Sequence, residues 1–460
     1  MVGRKPSPLI PKRKNKPTTK PKTDPQEEKR AEPMPKPAAD VDTDEEIVDR
    51  PAPKKKLKKI KRPHPKKGFK PSAPQAQLST EDKRVLRRRR HRRRLIVRIA
   101  IMVAVVTLGV VVWLNWSVLA PDKIWTWIQD LVSGGTGSYP VDLSGTGARR
   151  LEQVEDYTVV LTDSHLTYLN ASGAEVSRYG CAYADALVRA EGKYVLVAEQ
   201  NGRRLHLSTR NKMVGEWNTT HVIRAVSLNA EGKCAVLTDG PQGYLVQLCV
   251  YDAEGTLLYT RNSNRNAVDV ALSPDGTTVS LTSVEAVNGN LNTHLEVFST
   301  TASGDAQSVY VAEDTLLYRI EYLSGGMVAA VHEQGVVLMN VKTGATDTYA
   351  PEGMHVLGYA VSGDNVALAL RAYGDTAGGE VVVVSTTGAE ECCVPFDGEF
   401  RHLSGTNGKF ALLTDDYVYL LSAAGAEGRA RVPADGQQAV YAAGKAVVMG
   451  RNQLDVYTVK

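Results

Sequence analysis

Aromatic side chains are scarce in this 460-residue chain, at 6% of residues, and cysteine is scarcer, with five. The cysteines are Cys181, Cys234, Cys249, Cys392 and Cys393, and an odd count excludes a framework in which every cysteine is paired. The histidines from His165 onward (His165, His206, His221, His294, His332, His355 and His402) include no H-E-x-x-H pair, which excludes that class of zinc site. Neither a G-x-S-x-G nucleophile elbow nor a phosphate-binding glycine loop is present. No acidic loop has the oxygen spacing of a calcium site. From Tyr139 onward no long stretch has helical periodicity, which excludes a helical bundle. These absences leave no sequence grounds for an enzyme. We expect no catalytic, cofactor-binding or metal-binding residues.

What is present is unevenly distributed. The formal net charge is +5. Residues 1–98 contain 32 Lys/Arg and 12 Asp/Glu, 32 − 12 = +20, and the rest contains 24 and 39, 24 − 39 = −15. Two oppositely charged pieces exclude a single uniform globule. Residues 1–94 carry 15 of the 22 prolines and one aromatic, Phe69. So few apolar side chains cannot offset the entropy of ordering the backbone, so this Pro/Lys/Arg-rich tail is expected to be disordered. Its basic runs, Lys54–Lys70 and Lys83–Arg94, suit an anionic lipid surface or an acidic protein. No aromatics interleave with them, which argues against base stacking and specific nucleic-acid recognition.

A long apolar run follows. Residues 99–120 are interrupted only by Thr107, Asn115 and Ser117, and 22 residues of helix span about 33 Å, the thickness of a bilayer core. The expectation is a single-pass transmembrane signal-anchor helix over residues 95–120. The basic flank keeps the N-terminus cytoplasmic and places the C-terminal region outside the cell membrane. Trp113, Trp116, Trp125 and Trp127 cluster at the outer end, so residues 121–137 read as an interfacial linker with a short amphipathic helix and a Gly-rich hinge.

Residues 138–460 read as all-β. A recurrent apolar strand begins at Thr158, Tyr194, Cys234, Thr278, Met327, Asn365, Lys409 and Lys445. A second strand follows each, then often a turn with glycine, as at Gly173, Gly255, Gly344, Gly388 and Gly425. Eight copies at about 40 residues each predict an eight-bladed β-propeller, with seven blades as the alternative. The last repeat supplies three strands, near Gln438–Tyr441, Ala446–Met449 and Leu454–Val459. Tyr139–Leu143 is therefore predicted to complete it and close the ring.

These repeats resemble WD40-like, TolB-like and quinoprotein-like propellers. Ser273-Pro274-Asp275-Gly276 is similar to the inter-strand turn of TolB-like repeats. The layout of basic tail, anchor helix and Tyr-rich propeller resembles an uncharacterised family of membrane-anchored propeller proteins of Gram-positive bacteria, a domain of unknown function. The resemblance implies fold and placement, and no functional residue. Cys392-Cys393 invites comparison with the vicinal pair of quinoprotein dehydrogenases, but this region has one tryptophan, Trp217, and the pair falls on a predicted outer strand.

Smaller features have structural readings. Cys234 and Cys249 flank Gly240–Gly243 symmetrically and are expected to face each other across a hairpin, as buried thiols or as a disulfide. Asp163, Asp239 and Asp415-Asp416 read as turn residues, and His332-Glu333 as a hairpin turn. The long loops Val284–His294 and Tyr373–Gly379 are the candidate recognition elements.

The expected function is a membrane-tethered, non-enzymatic binding or scaffolding module. Its expected partners are the bilayer through residues 95–120 and an extracytoplasmic protein or cell-envelope polymer. The alternatives are an extracytoplasmic hydrolase or redox enzyme with dispersed residues, or a sensor coupling the propeller to the tail. A central pocket with clustered carboxylates or histidines favours the enzyme; an exposed apolar rim favours binding. Topology is testable with an impermeant thiol reagent on intact cells. Cysteines placed in the propeller should label and cysteines placed in residues 1–94 should not; a labelled tail overturns the orientation.

Overall fold

The computed structural model of the chain describes Met102, residues 137–302 and residues 304–460. The expected tail, anchor helix and linker lie outside the described residues, apart from Met102 and residue 137. Among the described residues no helix is long and apolar enough to cross a membrane.

Eight antiparallel sheets of four strands each follow one another, so the propeller has eight blades and not seven. Blades are numbered here from the sheet whose innermost strand is Arg150–Val154. The other innermost strands are Ala186–Glu191, Ile223–Leu228, Asn266–Leu272, Arg319–Tyr322, Met354–Ser362, Phe400–Thr406 and Gln438–Ala442. The second strands begin at Tyr157, Tyr194, Cys234, Thr278, Met327, Asn365, Lys409 and Lys445. Each lies within one residue of the recurrent run seen in the sequence.

Burial explains why that run recurs. A second strand is covered on both faces by neighbouring blades, so Tyr157–Leu161 is buried at every position. An outermost strand is half solvated, and Leu257–Ser263 alternates between exposed and partly buried residues along most of its length. The core is accordingly divided into eight apolar clusters, one in each space between adjacent blades.

The ring closes twice. Val141–Asp142 pairs with the third strand of blade 8, Val141 opposite Leu454 and Asp142 opposite Gln453. This supplies the missing outer strand from the expected segment, although only two of its residues join the ladder. Leu143 extends the contact, donating its N–H to the Asn452 carbonyl at 2.7 Å. A second closure lies at the inner edge. Gln438 of blade 8 accepts the Leu151 N–H of blade 1 at 2.7 Å through Oε1, and its Nε2 donates to the Arg149 carbonyl at 3.3 Å. The apolar cluster between them joins Leu143, Leu151 and Val160 to Val440, Val447 and Leu454.

Strand direction alternates within each blade. Turns joining second to third strands, and connections between blades, therefore share one face, called here the upper face. Turns joining first to second and third to fourth strands share the lower face. The chain enters on the lower face. Gly137 lies so close to Ala174, between the third and fourth strands of blade 1, that an added Cβ would fall 2.2 Å from the Ala174 nitrogen.

Two expectations are corrected. Cys234 pairs with Tyr251 and Cys249 with Val236, so the two cysteines are diagonal neighbours and not opposite. The turn is longer than the Gly240–Gly243 symmetry implied: the strands are Cys234–Asp239 and Val246–Tyr251, which moves the register by two. All five cysteines are free thiols. Val284–His294 is also not a loop. Strands Thr278–Val287 and Asn290–Ser299 run through it as a ten-residue hairpin, turned by Asn288 at φ 52° and Gly289 at φ 91°. Two positive φ values in succession give the tight turn that matches strand twist.

Both closures should be measurable by thermal unfolding of the full chain. Deleting residues 138–144 should lower Tm strongly. Gln438→Ala, which strands a buried N–H, should cost about 1–3 kcal/mol. Unchanged melting of either variant removes that closure from the account.

Candidate functional site

The innermost strands surround a central channel with a cavity of about 570 Å³. Three of them carry Arg-x-Glu: Arg150-Leu151-Glu152, Arg189-Ala190-Glu191 and Arg319-Ile320-Glu321. Side chains alternate along a strand, so residues two apart share a face and each Arg and Glu point the same way. All six residues, with Tyr359, line the cavity. Arg150 and Glu191 are exposed, whereas Glu152, Arg189, Glu321 and Tyr359 are partly buried. Arg150 opens its strand on the upper side and Glu191 ends its strand on the lower side, so the two mark opposite mouths of the channel.

Enclosure governs the electrostatics of the middle group. Burial pushes Glu152 up to about 7, with Arg189 and Arg150 opposing and Glu321 adding to the rise. Burial likewise raises Glu321 above the usual carboxylate range, against the pull of Arg189. Burial alone would lower the Arg189 guanidinium, but Glu321, Asp269, Tyr359 and Glu152 outweigh it and hold it above its ordinary value. Asp269 is 1% exposed; burial raises it while Arg319 and Arg189 oppose. Its Oδ2 accepts the Ile320 N–H at 3.0 Å, and Arg319 Nη1 lies 3.5 Å from Oδ1. His402, on the channel wall, has its Nδ1 3.2 Å from the Ala439 carbonyl, and burial pushes it down to about 4.

The channel thus gathers carboxylates and also arginines. No group of three His, Cys, Asp or Glu able to hold a metal occurs among the described residues. A nucleophile is not supplied by the vicinal cysteines, which sit on the outermost strand Glu390–Phe396 of blade 6, far from the channel. Burial and Glu380 push Cys393 up to about 12. His332 closes the second strand of blade 5 and Glu333 begins its turn. Asp163 pairs with Arg149 and Asp239 with Arg224, so the turn aspartates tie the starts of inner strands.

The upper face differs from the lower. Tyr244, Leu245, Val287, Leu291, Leu316 and Tyr373 are all exposed. Each lies in an upper-face connection or at the tip of the long hairpin. The other exposed large apolar side chains of the propeller, Met213, Leu257, Leu258, Val309 and Val311, are on outermost strands. None lies in a lower-face turn. Tyr373 stacks on His355 with ring centroids 5.2 Å apart, so the predicted loop Tyr373–Gly379 presents a fixed aromatic. The channel cluster went unread in the sequence. Its available signal was Arg-x-Glu on the strand preceding the recurrent run, in repeats 1, 2 and 5.

Comparison with solved structures finds other β-propellers. BamB from Moraxella catarrhalis matches at 12% identity and TM-score 0.45, over 70% of this chain and 99% of that one. The Pan2 WD40 domain of Neurospora crassa matches at 8% identity and TM-score 0.40, over 68% and 89%. A eukaryotic initiation factor matches at 10% identity and TM-score 0.48, over 70% and 88%. Likeness at this level says nothing of ligand or activity. No curated protein matches the sequence. A family model described as "Family of unknown function (DUF5711)" matches residues 138–456.

The raised Glu152 has a stability consequence. A carboxyl whose pKa is higher folded than unfolded stabilises fully below its unfolded value, and that contribution is lost as pH rises through the folded value. Wild type should therefore lose stability from this group between about pH 4.5 and 7. Glu152→Gln should stabilise by roughly 1–3 kcal/mol more at pH 8 than at pH 5, read by urea unfolding. An equal effect at both values would show that Glu152 titrates normally.

Proposed function

The chain belongs to the DUF5711 family, a family of unknown function, and from that premise we propose that it is a membrane-tethered extracytoplasmic module that binds or scaffolds a partner and does no catalysis. The observation that carries this reading is the one-sided upper face. Six large apolar side chains stand exposed there, over blades 3 to 6; among the described residues none is in a lower-face turn, and Met213, Leu257 and Leu258 are exposed at the lower ends of outermost strands. Exposed apolar groups gathered on one side of a soluble domain mark recognition surfaces, and aromatic anchors such as Tyr244 and Tyr373 dominate such contacts.

The point of attachment supports the same reading. The chain enters on the lower face at Gly137, and the proposed anchor, residues 95–120, precedes it. A tether attached there leaves the apolar face free for an extracytoplasmic protein or an envelope polymer. The cytoplasmic basic tail would dock on anionic lipid or an acidic protein.

One observation favours a second reading. Burial raises Glu152 to about 7, and it lines the same cavity as Glu321, two carboxyls such as a hydrolase uses for acid–base work. The interleaved arginines, which quench that charge, place it behind the binding reading.

Proximity labelling in cells from a tag on the propeller tests the proposal. The triple variant Leu245→Ser, Leu291→Ser, Tyr373→Ser should melt as wild type does, since these side chains are exposed. It should lose its labelled extracytoplasmic partner by roughly tenfold or more. Identical labelling of variant and wild type overturns the upper face as the binding surface.

A further inference from the structure

The binding face leaves the channel without a role, and the channel has an unusual feature. Elsewhere this propeller sets opposite charges in contact: Arg204 and Glu199 at 2.8 Å, Arg265 and Glu296 at 3.1 Å, Arg429 and Asp397 at 3.0 Å. In the channel Arg319 makes such a contact with the buried Asp269, at 3.5 Å, and Arg189, Glu152 and Glu321 have none. Among the described residues, the Arg189 side chain makes one hydrogen bond, from Nη1 to the Val188 carbonyl at 3.2 Å. Glu152 and Glu321 accept no side-chain hydrogen bond there and join no ion pair. These groups act on one another electrostatically and line the same cavity, yet no hydrogen bond or ion pair joins them. This guanidinium and these two carboxylates, free of ion pairs, border a cavity of about 570 Å³ whose lining also carries Arg150, Glu191, Arg319 and Arg401, within the size range of small-molecule sites.

The mixture of signs selects the ligand. An anion on Arg189 would draw that guanidinium from Glu152 and Glu321, leaving them Arg150 and Arg319 as charged neighbours but no contact partner, and a buried charge without a partner is costly. A cation on the two carboxylates would leave Arg189 in the same position. A divalent metal would meet the guanidinium. A molecule carrying one charge of each sign satisfies both halves.

We propose that the central channel binds a small zwitterion with a free ammonium and a free carboxylate, an amino acid or a short peptide. Arg189 receives the carboxylate in a two-pronged contact, for which a guanidinium is shaped. Glu152 and Glu321 receive the ammonium. Tyr359, on the inner strand of blade 6, borders the same space. Arg150 and Glu191 offer a positive and a negative mouth. This site is independent of the upper face, so either can stand without the other.

The test is calorimetric titration of the full chain in detergent micelles at pH 8, where Glu152 is ionised. Three probes are compared: L-alanyl-L-alanine, its N-acetyl form and its C-terminal amide. The free dipeptide should bind, and each capped form should bind at least tenfold more weakly. Arg189→Gln should erase the difference between the dipeptide and its amide while keeping the penalty for N-acetylation. A merely destabilised channel would lose both distinctions. The proposal is overturned if the free dipeptide does not bind, or if either capped form binds as well. Measurements on the wild-type chain alone suffice to overturn it should the variant fail to fold.

Discussion

The innermost strand of each blade has one backbone edge with no strand beside it. In a closed ring that edge is hidden from bulk water, so its N–H and C=O groups need partners from elsewhere. The neighbouring blade provides them as side chains. Ser227 accepts the Leu272 N–H at 3.0 Å, Asp269 accepts the Ile320 N–H at 3.0 Å, and Gln438 accepts the Leu151 N–H at 2.7 Å. Ser404 donates to the Ala439 carbonyl at 2.8 Å. In each case the side chain comes from the innermost strand of the preceding blade. The ring is thus stitched in one direction, from blade 3 to 4, 4 to 5, 7 to 8 and 8 to 1. That stitching decides which polar side chains are committed to structure and which remain free to face the channel.

Asp269 and Glu321 show the division. Both are acidic residues on inner strands of adjacent blades. Asp269 is almost wholly covered and spends its oxygens on a backbone N–H and Arg319. Glu321 keeps its carboxylate for the cavity. Arg319 stands between the two roles, balancing a structural charge while lining the space that Glu321 and Arg189 share. The charge pattern of the channel is therefore a remainder left after the edges have been satisfied.

Much of the fold was legible because covering a strand on both faces writes an unbroken apolar run, and eight such runs appear in Tyr157–Leu161 and its counterparts. The closing segment was legible because the last repeat is one strand short. Other features were not. Glu285, Asn288 and Asn290 look like loop residues, yet they belong to a hairpin that projects beyond the blade, where nothing packs on the strands and no apolar alternation is required. The Cys234–Cys249 register failed because glycines at 240 and 243 suggested a tighter turn than the six residues that connect the strands. The channel was hidden for a deeper reason. Arg-x-Glu on a strand has the same pattern whether it faces solvent or an enclosed cavity, and only the closure of the ring distinguishes them.

The clasp formed by Val141 and Asp142 is a ladder of two residues at the outer rim of blade 8. A pull applied at Gly137 would meet the Ala174 turn of blade 1 and then this two-residue ladder. The outer clasp is short, whereas Gln438 and the apolar cluster beneath it hold the inner edge. Mechanically the ring has a short outer latch on the side where residue 137 enters and a separate bolt inside.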